Sequence, residues 1–185
     1  QPFIGYLVKS GVDMSDLPGW LRSVDLEGHE RGDVPGEILL ARIASLAVRP
    51  LDLAELRSHW LSMFEPWDEM FTLASGLKAD YRVYLLSNIG DMHWAHLDAL
   101  YGLDTLVHGA CASFRVGAIK PHVDIYRKAE VMFDLDPSAT VFLDDLLPNV
   151  TAARECGWHA IHHIDAGLTR SQLRTLGVRL PAPFT

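Results

Sequence analysis

After Pro66 the chain alternates short apolar runs with helical stretches, and that order leaves few folds open. Residues 81–86, 140–143 and 158–164 read as strands, and residues 105–112 contain a weaker one. Helical patterns cover residues 67–78, 91–100, 122–133, 149–156 and 169–176, with Gly157 closing the fourth. Apolar strands joined through helical crossovers make a parallel sheet covered on both faces. The expectation is therefore an α/β fold with a doubly wound parallel sheet.

Before Pro66 only helical signals occur. Asp16 and Pro18 open a stretch with Trp20, Leu21 and Val24 at helical spacing. Pro35 precedes Ile38, Leu39, Ile43 and Leu46, which would share one face. Asp52 is placed as an N-cap for Leu53, Leu56, Trp60 and Phe64. The connections are short, so these helices should form a small antiparallel bundle. The expected division is a helical lobe at 1–64 and an α/β core at 65–185.

Bulk properties narrow the function classes. The chain has 185 residues, enough for one core plus a small lobe, and 49% of them are hydrophobic. No apolar run approaches the roughly 18 residues a membrane span needs. The N-terminus shows neither the basic flank nor the cleavage site of a signal peptide. Cys111 and Cys156 read as two buried thiols in a reducing cytoplasm. A net charge of −8 argues against a nucleic-acid or anionic-membrane surface, which needs clustered Lys and Arg. An acidic protein can still hold a phosphate in a pocket.

Three polar groups sit at or just beyond the C-terminal ends of expected strands, the edge where open α/β sheets bind ligands. They are Ser87 with Asn88, Lys120 before Pro121, and Asp144 with Asp145. A hydroxyl and an ammonium suit phosphoryl oxygens, and a carboxylate pair suits a hard cation such as Mg²⁺. Singly, each is a common turn or cap. Their order and shared strand context make a site the better reading.

These motifs resemble those of the haloacid dehalogenase superfamily. Leu85-Leu86-Ser87-Asn88, Gly117-Ala118-Ile119-Lys120-Pro121 and Val141-Phe142-Leu143-Asp144-Asp145 look like its second, third and fourth motifs. Pro148-Asn149-Val150 and Ala152 to Gly157 agree with the stretch that follows. His29-Glu30-Arg31-Gly32-Asp33 resembles a segment of the helical cap many members carry. The resemblance implies a capped, Mg²⁺-dependent phosphatase acting on a small phosphorylated metabolite in the cytoplasm. It assigns phosphate binding to Ser87, Asn88 and Lys120, a catalytic role to Lys120, and the Mg²⁺ site to Asp144 and Asp145. Which aspartate ligates the metal directly stays open, as does assembly into a homo-oligomer.

The resemblance is incomplete in one respect. The family's first motif is a strand ending in Asp-x-Asp, whose first Asp is the nucleophile. The printed chain begins at the cap, and about 15 residues of strand and turn are expected upstream of Gln1. The family places that strand between those ending at Ser87 and Asp144. Three arrangements are open: an upstream segment, a strand from another chain, or direct pairing of the two flanking strands in an inactive protein. Residues 131–136 look like the motif, but Ile125, Ala129 and Met132 make this a helix end, and Asp136-Pro137-Ser138 a turn.

Other constellations are weaker. Nine histidines include His93 and His96 on a helix and His162-His163 on a strand, without Cys-rich or His-Glu-x-x-His spacing, so they read as surface or packed residues rather than a zinc site. Trp20, Trp60, Trp67, Trp94 and Trp158 read as core or cap-interface aromatics. A receiver domain would place its acids before the hydroxyl and Lys-Pro, the reverse of this order. Metal-free dehalogenases typically carry a single late Asp where this chain has two.

Overall fold

A computed structural model describes residues 2–181. Its first part is a helical bundle: α1 (Pro2–Lys9), α2 (Leu17–Val24), α3 (Leu26–Arg31), α4 (Gly36–Ser45) and α5 (Leu53–Leu61). The caps follow the sequence signals. Asp16 accepts a hydrogen bond from Gly19 N, and Asp52 accepts from Ala54 N and Glu55 N. Phe3, Leu7, Val24, Leu39, Ile43 and Trp60 are among the buried residues of this bundle. Helices α1 and α3 carried no signal in our reading. Asp25 sits at φ 59° and N-caps α3 by accepting from Gly28 N. The buried stripe of α4 is Leu39, Leu40 and Ile43, while Ile38 and Leu46 are exposed. The apolar face is thus rotated by about one position from the expected one. Phe64 lies beyond the end of α5 and is exposed.

Next come α6 (Asp68–Leu77), β1 (Tyr84–Ser87), α7 (Asp91–Tyr101), α8 (Leu103–Leu106), β2 (Gly109–Ala112), α9 (Ser113–Val116) and α10 (Val123–Phe133). A 3-10 turn at Pro137–Ala139 leads to β3 (Val141–Asp144), α11 (Leu147–Glu155), β4 (His159–His162) and α12 (Ala166–Thr175). All strand pairing is parallel, so the α/β class expected from the alternation is the observed one. Residues 131–136 are a helix end and turn: Asp134 ends α10 at φ 49°, and Asp136 accepts from Ser138 N.

Among the described residues the strands form two two-stranded pieces, β1 with β2 and β3 with β4. Strand β1 does not pair directly with β3. Helices bind the pieces together from both faces. On one, Ile125, Tyr126 and Ala129 of α10 pack with Leu86 and Cys111 as well as Phe142 and Ala160. On the other, α6 sends Phe71 to the β1–β2 piece and Met70 and Leu73 to the β3–β4 piece. Of the five tryptophans, Trp20, Trp60, Trp94 and Trp158 are buried, whereas Trp67 is 46% exposed with its ring 4.3 Å from that of His163. No helix among the described residues is long and apolar enough to cross a membrane.

Bundle and core meet at His93 of α7. Its Nε2 lies 2.7 Å from the Trp60 carbonyl, so the neutral ring donates there. Burial pushes the imidazole pKa down to about 4, against a smaller upward pull from that hydrogen bond. A depressed pKa means that the unfolded chain binds the proton first as pH falls. Stability from this group is therefore complete above pH 6.5 and lost between 6.5 and about 4. The whole effect is on the order of 3 kcal/mol. Urea unfolding across that window should show most of this loss in the wild type and much less in His93→Gln. Equal pH slopes would show that another group titrates.

Candidate active site

The backbone alternation of β1 and β3 sets the stage. Val83 O accepts from His108 N on the β2 side, so three residues on, an odd offset in a two-residue period, Leu86 turns its carbonyl to the opposite edge. Thr140 O and Asp144 O accept from His159 N and His163 N on the β4 side, which leaves Val141 and Leu143 presenting backbone groups away from β4. Lys120 bridges these two edges. Its Nζ donates to Leu86 O at 2.9 Å and to Asp144 Oδ2 at 2.6 Å. The pair is nearly closed to solvent, with side chains 10% and 5% exposed.

Each partner is held from behind. Gly117 ends α9 at φ 64°, Ala118 and Ile119 are buried, and the loop delivers Lys120 to the edge. Asn88, just past β1, accepts from Lys120 N at 2.7 Å and donates to Lys120 O at 2.9 Å. The amide of Asn88 is thus directed at the lysine's own backbone. Asp144 Oδ1 accepts from Leu146 N and from Asn149 Nδ2, both at 2.9 Å. Asn149 in turn accepts at its carbonyl from Tyr126 OH. Ser87, the last residue of β1, lies between Leu86 and Asn88, both of which touch Lys120. The structure therefore brings Asn88, Lys120 and Asp144 together, with Ser87 adjacent to Asn88 in the chain. Asp145 follows on the exposed side, and its carbonyl is 2.9 Å from His162 Nε2.

The helical bundle docks onto this edge through the His29-Glu30-Arg31-Gly32 segment. Gly32 has φ 91°, and a Cβ there would lie 2.3 Å from Phe114 O, so the close approach requires glycine. Gly90 plays the same part from the core: a Cβ on it would fall 1.9 Å from His29 Nε2. Fully buried Ser113 donates to Glu30 O at 2.5 Å and accepts from Ile89 N at 2.9 Å. Gly36 N donates to Asp91 Oδ1 at 3.2 Å.

The residues present suit a hard divalent cation in kind. Mg²⁺ takes one or two protein carboxylates and completes its shell with water and substrate phosphate. Both oxygens of Asp144 are engaged, whereas the exposed Asp145 carboxylate accepts no hydrogen bond from a described residue. Among the described residues no three His, Cys, Asp or Glu side chains group around one point.

Fold and site define a Rossmann-like α/β protein with a helical cap over a Ser, Lys and Asp edge. No family model matches the chain. A sesquiterpene phosphatase, astK, of Aspergillus oryzae is 27% identical over 172 residues, covering 92% of this chain and 88% of that protein. A D-ribitol-5-phosphate phosphatase of Bacteroides thetaiotaomicron is 25% identical over 154 residues, covering 80% of this chain and 75% of that one. A HAD family enzyme from Bacteroides thetaiotaomicron superimposes with a TM-score of 0.80 at 22% identity, over 94% of this chain and 90% of that one. That enzyme has also been crystallised with magnesium and inorganic phosphate. The fold is that of HAD family enzymes, and the two curated relatives are phosphatases.

Two contributors were missed in the sequence. Ser113 follows the weakest strand pattern, where no sharp switch from apolar to polar residues marks a strand end. Asn149 was noted only as a flank. Its position five residues after Asp144, on the first turn of a helix, is what turns its amide back to the carboxylate.

The buried pair makes a stability prediction. Removing one partner leaves the other charge desolvated and costs about 3–5 kcal/mol. Lys120→Met should lose roughly that much in urea unfolding, and Lys120→Met with Asp144→Leu should recover most of it. A double variant as unstable as the single one would mean that the pair is not the relevant interaction.

Proposed function

We propose that this protein is a Mg²⁺-dependent phosphomonoesterase acting on a small phosphorylated metabolite through an aspartyl-phosphate. The observation that carries the reading is Lys120, whose ammonium reaches both the free edge of β1 and the carboxylate that ends β3. Lysine there neutralises a phosphoryl oxygen and the carboxylates around it. Ser87 donates its hydroxyl to a second oxygen. Asn88 fixes the lysine's backbone, so the charge is positioned before substrate arrives. Asp145 and Asp144 hold the metal, with Asp145 as the direct ligand because its carboxylate is uncommitted. Mg²⁺, when bound, neutralises charge on the transferring phosphoryl group. The nucleophilic carboxylate comes from a strand seated in parallel between β1 and β3, whose facing edges would supply its hydrogen bonds. The relatives named above support phosphate ester hydrolysis, and the docked cap supports exclusion of water from the site.

The test is phosphate release from p-nitrophenyl phosphate and sugar phosphates by the protein expressed from its natural reading frame. Activity should require Mg²⁺ and be blocked by fluoroberyllate. Lys120→Ala should lower kcat/KM by about 10²- to 10³-fold, the usual effect of losing an oxyanion partner. Asp145→Asn should raise the Mg²⁺ concentration for half activity more than Asn88→Ala does. Trapping the acyl phosphate with hydroxylamine should mark an aspartate of the inserted strand. A mark on Asp134, Asp144 or Asp145 would overturn the reading.

A further inference from the structure

Between β1 and α7, each residue from Asn88 to Asp91 is held by a different neighbour. The Asn88 amide grips the Lys120 backbone, accepting from its N at 2.7 Å and donating to its O at 2.9 Å. Ile89 N donates to Ser113 Oγ at 2.9 Å. Gly90 packs on His29 of the cap, and Asp91 Oδ1 accepts from the cap's Gly36 N at 3.2 Å. One end of the segment is therefore tied to the lysine and the other to the cap. Ser113 lies between, fully buried, and its hydroxyl touches both lobes. That hydroxyl has one proton and two carbonyls within reach, Glu30 O of the cap at 2.5 Å and Ile89 O of the core at 3.2 Å. The shorter bond takes it. With Ile89 N donating to the same oxygen, N–H, hydroxyl and carbonyl form a chain from core to cap in which each hydrogen bond polarises the next.

We infer that Ser113 is a positioning residue whose hydroxyl couples the seating of the cap to the placement of Lys120, acting through Ile89 and Asn88. This rests on the phosphomonoesterase reading, in which Lys120 meets the phosphoryl group. The coupling follows from covalent geometry. Ile89 N and the Asn88 carbonyl share one rigid peptide plane, so holding the first holds the backbone of Asn88. The Asn88 amide makes two hydrogen bonds to one residue, which leaves little room to absorb a shift. Lys120 in turn divides its ammonium between Leu86 O and Asp144 Oδ2. When the cap is seated, Glu30 O draws the Ser113 proton toward the cap, and the hydroxyl oxygen becomes a stronger acceptor for Ile89 N. When the cap lifts, the proton turns to Ile89 O and that gain is lost. The lysine is thus fully placed to meet transition-state charge only with the cap down.

Kinetics on p-nitrophenyl phosphate and amide hydrogen exchange, both on the protein from its natural reading frame, test the coupling. Ser113→Ala should lower kcat by about tenfold with KM within about threefold, because a misplaced lysine loses charge stabilisation in the transition state. The Lys120 amide, which donates to Asn88 Oδ1, should exchange about tenfold faster in Ser113→Ala, while amides of α12 keep their rates. Asn88→Ala should cost far less in the Ser113→Ala background than in the wild type, since both act through one lysine. If the alanine variant does not fold, Ser113→Cys keeps nearly the same size, weakens both hydrogen bonds and carries the same expectations. Lower stability with kcat and the Lys120 amide unchanged would overturn the inference, as would additive losses with Asn88→Ala. No turnover by the wild type would overturn the phosphomonoesterase reading alone, and exchange at Lys120 then decides the coupling by itself.

Discussion

The Lys120–Asp144 pair is the interaction on which this architecture turns. Two parallel strand pairs approach one another without hydrogen bonds between them, and the lysine ammonium spans their facing edges. The Leu86 carbonyl and the Oδ2 oxygen of Asp144 both take their hydrogen bond from it. One cation answers both. The same residue is thereby placed where the strand ends converge, which is where an α/β sheet offers a ligand its backbone and side-chain groups. Structural necessity and the candidate chemistry thus converge on one side chain. The supporting hydrogen bonds from Asn88 and Asn149 make sense in that light, because each fixes one end of the pair.

Much of this was legible in the sequence, for local reasons. Asp16 and Asp52 announce their helices because an N-cap needs only a short side chain and two or three backbone N–H groups. Gly157 marks the end of α11 because φ 91° is open to glycine and strained for other residues. The Ser87, Lys120 and Asp144 constellation was visible because strand ends are marked by a switch from apolar to polar residues. What stayed hidden depends on tertiary contact. Helix α3 is six residues long and begins at a left-handed aspartate, so no periodicity could reveal it. The pairing of the Asn88 amide with the Lys120 backbone joins residues 32 apart, which no local pattern announces. Trp67 looked like a core aromatic, yet it stands half-exposed against His163 because α6 begins at the next residue.

The two strand pairs are held by helices on both faces. Helices α6 and α10 each contact both strand pairs, so apolar burial on the two faces holds the pieces in register. Burial is indifferent to whether a hydrogen bond crosses the gap, because it is non-directional. Hydrogen bonding is not. The inward groups of Val141 and Leu143 and the carbonyl of Leu86 are directional and lie at strand spacing.

Cap and core are joined through contacts that tolerate little adjustment. At Gly32 and Gly90 no side chain fits, and at Ser113 one hydroxyl serves groups from both lobes. Contacts of this kind fix distance more sharply than apolar side chains do, since a hydrogen bond or backbone packing weakens within a few tenths of an ångström while side chains can repack. The seating of the helical bundle on the sheet edge is thereby fixed by backbone clearance and one shared hydroxyl rather than by side-chain volume.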